Sequence, residues 1–206
     1  RLLLVVLFNE GEACLIPSPY YSGYDSAMLG SGVVPWPVKS LLTGCVDEGI
    51  SPVSLQRAYR AARAKAVHIR ALLLTSPHNP TGRLYSARAL LGAVSWAREK
   101  GIHIISDEVY ANCVHRPGAT FRGLGSLHRG GLGKNVHVLY GPAKDLGVAG
   151  WRVGALYSEN EEVISAVGSM CHSCEASTDT LSLLGQLLNE PGFMGSYMHQ
   201  HQVRGG

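Results

Sequence analysis

Residues 69–82 read IRALLLTSPHNPTG, an apolar run that ends abruptly in turn-forming residues. A strand with one face in water alternates apolar and polar side chains, whereas a near-continuous run such as IRALLLT suits a strand covered on both faces. The cluster that follows is rich in Ser, Pro, Asn and Gly, which favour turns over strands. Ser86 then has the chemistry of a helix cap, ahead of an apolar face made by Ala87, Leu90, Leu91, Val94 and Ala97, with Gly101 as the stop. A second apolar run, IHIIS, begins immediately afterwards.

The same alternation extends in both directions. Upstream, ACLI at 13–16 predicts a short strand halted by PSPYYSGYD, and the two prolines of VVPWPV at 33–38 predict an extended edge segment. Ser51 and Pro52 suit the N-cap and first turn of a helix carrying Leu55, Ala58, Tyr59, Ala62 and Ala66 on one face. Leu2–Phe8 suits the end of a buried helix. Downstream, NVHVLY and RVGALYS predict two further strands, and helical stretches fall between about 159 and 190. Apolar strands alternating with amphipathic helices define an α/β domain with a mainly parallel sheet flanked by helices. No repeat or internal domain boundary interrupts it.

Composition narrows the function classes. The chain has 206 residues, 46% hydrophobic and 16% charged, with a formal charge of +3 spread along its length, so nothing points to nucleic acid or an anionic membrane surface. The longest apolar run, Leu2–Phe8, is too short to span a bilayer and lacks a signal-peptide cleavage pattern. Five cysteines without framework spacing fit a reducing compartment, and the cytoplasm is expected. Cys171 and Cys174 form a CxxC, but no second pair or suitably spaced histidines complete a zinc site, so no metal is expected. His103 and His137 lie inside apolar runs and are expected to be packing residues. The chain begins at Arg1 and ends just after the opening of another helix, which suggests a fragment.

Ligands of parallel sheets gather beyond the carboxyl ends of the strands. Three strands end in polar clusters: 76–82 after the first, DEVY at 107–110 after the second, and Lys144, within YGPAKDLGVAGWRVG at 140–154, after the third. Each has an ordinary reading alone. Asn79 suits a turn, Asp107 an N-cap, Lys144 and Arg152 solvated cations. Gly147, Gly150 and Gly154 precede a strand and open no helix after one, so they form no dinucleotide fingerprint and disfavour a nicotinamide-dependent oxidoreductase.

Together these groups suit pyridoxal 5'-phosphate. A lysine amine held out of water can hold its aldehyde as a Schiff base. A buried carboxylate such as Asp107 can keep the pyridine nitrogen protonated, Asn79 and Tyr110 can donate to the phenolic oxygen, and the Arg152 fork suits the phosphate.

SPHNPTG, ISDEVY and AKDLGVAGWRVGALYS, in this order, resemble the fold type I pyridoxal-phosphate enzymes of the class I/II aminotransferase family. GEACLIPSPYYSGYD, KGIHIISDEVY and VHVLYGPAKDLGVAGWRVGALYSEN are most similar to its 1-aminocyclopropane-1-carboxylate (ACC) synthase and ACC synthase-like branch. The resemblance implies Lys144 as the Schiff-base lysine and proton shuttle, Asp107 as pyridinium partner, Asn79 and Tyr110 as phenolic-oxygen donors and Arg152 as the phosphate arginine. It also implies Tyr21, with Tyr20 close in register, as the residue stacked on the cofactor ring.

On this resemblance residues 1–206 are part of the large, cofactor-binding domain, without the upstream phosphate-binding turn and the C-terminal small domain whose arginine grips the substrate carboxylate. The chain by itself is expected to be inactive and the complete protein homodimeric. The implied substrate is an amino acid or S-adenosylmethionine; ACC formation, transamination and beta-elimination remain open outcomes. Where the family has Ser-x-Ser before the lysine, this chain has Gly141, Pro142 and Ala143, which predicts weaker cofactor binding or, as the alternative, a non-catalytic homologue with a structural or partner-binding role.

Overall fold

Helix α1 (Leu2–Leu7) leads into strand β1 (Ala13–Ser18), and helix α2 (Gly23–Leu29) separates β1 from β2 (Val34–Lys39). A one-turn α3 (Val46–Gly49) and the longer α4 (Pro52–Arg63) precede β3 (Ile69–Thr75); α5 (Ala87–Lys100) precedes β4 (His103–Asp107). The single turns α6 (Leu124–Leu127) and α7 (Pro142–Asp145) flank β5 (Val136–Tyr140). A 3-10 turn at Ala149–Trp151, β6 (Ala155–Ser158), α8 (Glu161–Cys171), α9 (Thr178–Asn189) and α10 (Phe193–Arg204) complete the chain. This computed structural model describes residues 1–40, 45–116, 118–128, 130–172 and 174–204, with backbone only at 202–204.

One sheet holds the six strands in the order β2-β1-β3-β4-β5-β6. All neighbours run parallel except β6, which pairs antiparallel with β5. The predicted mainly parallel sheet is present, and the proline-bearing β2 lies at its edge, where a missing amide donor breaks no ladder on the open side.

Alternating side chains feed two apolar layers. Ala13, Leu15, Ile69, Leu72, Leu74 and Ile104 pack with Leu55 and Ala62 of α4 and Leu90, Val94 and Ala97 of α5. Cys14, Ile16, Ala71, Leu73 and Ile105 pack on the opposite face with α1, Met28 of α2 and Val163 of α8. Covering both faces is what makes the strand sequences continuously apolar.

Both helix starts follow their predicted caps: the Ser51 hydroxyl accepts from the Ser54 amide at 3.2 Å and the Ser86 hydroxyl from the Ala89 amide at 3.1 Å. Gly101 ends α5 in the left-handed region, with φ 65°, where glycine lacks the Cβ penalty. Two expected face residues differ. Leu91 is 39% exposed while Ala93 and Trp96 take the buried positions, and Ala66 falls beyond the end of α4. PSPYYSGYD, expected as a loop, contains the start of α2.

His103 and His137 pack as expected, stacked on adjacent strands with 3.0 Å between Nδ1 of His103 and Nε2 of His137, and 2.8 Å from His137 Nδ1 to Ser158 Oγ. Among the described residues no helix is long and apolar enough to cross a membrane, and no group of three or more His, Cys, Asp or Glu is placed to hold a metal ion.

Candidate active site

Parallel registry aligns the three polar strand ends. Thr75 of β3 stands beside Asp107 of β4, and Asp107 beside Leu139 of β5. The segments carrying Asn79, Tyr110 and Lys144 therefore leave the sheet side by side. Asn79 Nδ2 donates to the Tyr110 hydroxyl at 3.3 Å, and Lys144 Nζ lies 5.8 Å from the centroid of the Tyr110 ring. These contacts bring together three residues that are 31 and 34 positions apart in sequence.

Asp107 does not cap a helix; a turn follows β4. Its Oδ1 accepts from the Val109 amide at 3.1 Å, and its Oδ2 accepts from the Tyr24 hydroxyl at 2.6 Å. Tyr24 also contacts Thr75 Oγ1 at 2.8 Å. A phenol has one proton, so with that proton on Asp107 the Thr75 hydroxyl must donate to Tyr24. The resulting chain runs Thr75 to Tyr24 to Asp107. Burial and the adjacent Asp107 charge push the Tyr24 phenol well above its ordinary pKa, so it stays a donor. With a donor on each oxygen, Asp107 is held as an oriented carboxylate.

The two candidate aromatic residues separate in space. Tyr20 donates its hydroxyl to Asp25 at 2.8 Å, whereas Tyr21 is 52% exposed and meets Tyr24 edge to face at 5.6 Å. Tyr21 is thus linked through Tyr24 to Asp107.

Glu108, next to Asp107, is buried, and this burial pushes its carboxyl above the usual range. It accepts from Ser106 Oγ at 2.9 Å and from the Leu124 amide at 3.0 Å. A Cβ on Gly123 would come within 2.4 Å of Glu108 Oε2, so the glycine permits this close approach. The carboxyl is thereby tied to the backbone at the start of α6, away from the Asp107 contacts.

Lys144 differs from its expectation. Its side chain is exposed, because α7 is a single turn at the rim of the sheet with glycines on either side, and the chain as described does not hold the amine out of water. Arg152 is also exposed, and its guanidinium bonds only weakly to its own turn, Nη1 to the Ala149 carbonyl at 3.4 Å. No contact joins Arg152 directly to Asn79, Asp107, Tyr110 or Lys144 among the described residues. The connection is instead through backbone: Gly141 packs so closely on Val153 that an added Cβ would lie 2.9 Å from the Val153 carbonyl oxygen.

Four residues in this neighbourhood were not found from sequence: Tyr24, Thr75, Asn112 and Asp145. Asn112 Nδ2 and the Tyr140 hydroxyl each donate to Asp145 Oδ2 at 2.7 Å. None carried a usable local signal, since each acts through a partner distant in sequence or in a segment expected to be a loop.

The chain matches the family described as aminotransferase class I and II over residues 1–204. It is 34% identical over 210 residues to 1-aminocyclopropane-1-carboxylate synthase 6 of Oryza sativa subsp. japonica, a match covering 99% of this chain and 38% of that protein. With 1-aminocyclopropane-1-carboxylate synthase 9 of Arabidopsis thaliana it shares 33% identity over 210 residues, covering 98% and 44% respectively. The chain therefore spans less than half the length of these relatives. Among solved structures, a Thermus thermophilus aspartate aminotransferase tetra mutant superposes with a TM-score of 0.82 at 20% identity, over 98% of this chain and 52% of that one. The aromatic aminotransferase from Pyrococcus horikoshii superposes at 0.78 with 22% identity, over 98% and 51%. These structural likenesses concern the fold.

Proposed function

The chain belongs to the aminotransferase class I and II family, whose members depend on pyridoxal 5'-phosphate, and from that premise we propose that residues 1–206 form part of the cofactor-binding domain of an ACC synthase-like or aminotransferase-like enzyme acting on amino acids or S-adenosylmethionine. The observation that supports this reading most is the convergence of Asn79, Asp107, Tyr110 and Lys144 at the adjacent ends of β3, β4 and β5. The donor set fits the cofactor chemically: an amine, an oriented anion, a neutral amide and phenol, and a guanidinium. Bound pyridoxal phosphate supplies an electron sink that stabilises negative charge developing at the substrate alpha carbon.

Each residue has a role in this reading. Lys144 would be the residue that holds the cofactor when substrate is absent and would move the alpha proton when substrate is present. Asp107, fixed by Tyr24 and Val109, supplies the anion that keeps a pyridine nitrogen protonated. Asn79 and Tyr110 supply neutral donors to the phenolic oxygen, and Arg152 the fork that binds phosphate. Tyr21, exposed beside Tyr24, would be free to pack against the cofactor ring. The complete protein acts as a homodimer in which further parts of the sequence finish the substrate site. A non-catalytic role is not favoured, because the family match spans 204 residues and all six candidate residues lie within it.

Borohydride reduction of the protein with pyridoxal phosphate, followed by peptide mapping, tests the assignment. The expected result is a reduced adduct on Lys144 that Lys144→Ala removes without loss of fold. An adduct confined to Lys39 or Lys134 overturns it.

A further inference from the structure

Asp145 follows Lys144 and has no exposed surface. A carboxylate withdrawn from water is costly unless hydrogen bonds replace its hydration. Here the replacement comes from two other segments. Tyr140, at the end of β5, and Asn112, in the turn after β4, each donate to Oδ2 at 2.7 Å, and Cys113 Sγ donates to Oδ1 at 3.4 Å. No salt bridge to Asp145 occurs among the described residues. Burial and the Asp145 charge push the Tyr140 phenol up and the Cys113 thiol to about 11, so both stay protonated donors through neutral pH.

The turn that Asp145 grips is the one that carries Tyr110. The Cys113 amide donates to the Tyr110 carbonyl at 2.9 Å, closing residues 110–113 into one unit. From its other end, Tyr110 receives Asn79 Nδ2 and presents its ring to Lys144 Nζ. Helix α7 is four residues long, too short to hold itself, and Gly147 beyond it adopts φ 68°. Neighbouring positions on a helical turn project about 100° apart, so anchoring Asp145 inward fixes the direction in which Lys144 leaves the turn.

We infer that Asp145 is a positioning residue: its buried carboxylate latches the Lys144 turn to the Tyr110–Cys113 turn and thereby sets the amine against the Tyr110 ring. This rests on the reading of Lys144 as the cofactor-attaching lysine. It assigns Asp145, Asn112 and Tyr140 a part in presenting that amine, beyond their part in folding.

The test reads attachment chemistry independently of turnover. The protein, in its complete sequence, is exposed to limiting pyridoxal phosphate and reduced with borohydride, and the label on Lys144 is quantified against the exposed Lys39 and Lys134 as internal references. Asp145→Asn is expected to lower labelling of Lys144 by roughly tenfold or more, since misplacement of a reacting group by about 1 Å has effects of this order or larger. Asn112→Ala and Tyr140→Phe are expected to lower it by smaller factors, with the references unchanged. Asp145→Asn combined with Asn112→Asp, which exchanges donor and acceptor across the pair, is expected to recover part of the label. A core variant far from the turn, Leu55→Ala, controls for lost stability and is expected to leave the Lys144 share intact.

If Asp145→Asn does not fold, Asn112→Ala and Tyr140→Phe decide the question, and unchanged Lys144 labelling in both overturns the latch. Wild-type labelling at Lys144 that persists in a folded Asp145→Asn protein also overturns it, leaving the role of Lys144 intact. Wild-type labelling only at other lysines instead defeats the underlying reading of Lys144.

Discussion

The two halves of the candidate site are held in different ways. On the β3–β4 side, Asp107 is fixed by side-chain bonds to Tyr24 and onward to Thr75, and Asn79 by its bond to Tyr110. On the β5 side, Lys144 and Arg152 are exposed on a glycine-rich connection whose anchors are the buried Asp145 and the Gly141–Val153 approach. The anionic half is therefore built into the sheet ends, whereas the cationic half is set by how a short loop is pinned. A rigid strand end keeps a charge oriented before ligand arrives; a pinned loop allows the lysine and arginine side chains to adjust when it does.

The largest expected effect follows from removing the fixed charge. Asp107→Asn keeps the shape and the room for the Tyr24 contact but cannot stabilise a protonated pyridine nitrogen. Exchange of the substrate alpha proton, followed by NMR in deuterated buffer, is expected to fall on the order of 10²- to 10³-fold, the range for loss of one oriented electrostatic partner. Cofactor attachment at Lys144 is expected to change much less. Equal losses in both would mean that the two halves are not independent.

A pH test examines the strands behind the site. Burial, followed by the neighbouring His103, pushes His137 down to about 4 from an ordinary 6.5, and burial with the Arg70 charge also lowers His103. Between these two values the unfolded chain binds the proton that the folded His137 refuses. The stabilisation is therefore complete above about pH 6.5 and is lost as pH falls toward 4. Urea midpoints across this window are expected to fall as the pH is lowered, and His137→Gln is expected to flatten that slope. An unchanged slope in the variant would place the acid sensitivity elsewhere.

Tyr24→Phe sharpens the account of the anionic half. It removes a hydrogen bond to a carboxylate, and such bonds contribute roughly 1.5–3 kcal/mol. Alpha-proton exchange should fall accordingly, because a carboxylate that has lost a donor is held less firmly in its orientation. A decrease in stability with no change in alpha-proton exchange would reduce Tyr24 to a packing residue.

Much of the scaffold was legible because its determinants are local. The IRALLLT run corresponds to β3 over its full length, and Ser51, Ser86 and Gly101 cap their helices as their side chains, or the absence of one, require. The alignment of the three polar strand ends followed from the expectation of a parallel sheet. The bonds that hold the site were not legible, because they join distant positions: Tyr24 to Asp107 across 83 residues and Asn112 to Asp145 across 33. α2 was missed because prolines and glycine in PSPYYSGYD hide a helix that starts at Gly23. The exposure of Lys144 was missed because burial at a sheet rim depends on what crosses it, which strand patterning does not encode.

The smallest expected effect separates two substitutions in the same loop. Gly141 has φ −169° and ψ 145°, extended backbone that any residue adopts. The obstacle is space, because a Cβ there would meet the Val153 carbonyl oxygen at 2.9 Å and Gly154 Cα at 3.6 Å, both backbone atoms that cannot rotate away. Gly141→Ser is thus expected to lower stability by about 1–3 kcal/mol, as overpacking does, and to disturb the residue next to Arg152. Ala143 is only partly buried within α7, so Ala143→Ser should fold normally. One hydroxyl added near a bound phosphate contributes at most a charge-assisted hydrogen bond, and displaced water offsets part of it. The cofactor dissociation constant should therefore tighten by about 1 kcal/mol, roughly fivefold, for Ala143→Ser, measured by fluorescence titration of the reconstituted protein. If Ala143→Ser leaves that constant unchanged while Arg152→Ala abolishes binding, the guanidinium holds the phosphate without hydroxyl help from this turn. If instead Gly141→Ser is as stable as wild type and binds more tightly, the loop can shift away from Val153, and the cationic half is pinned by Asp145 alone.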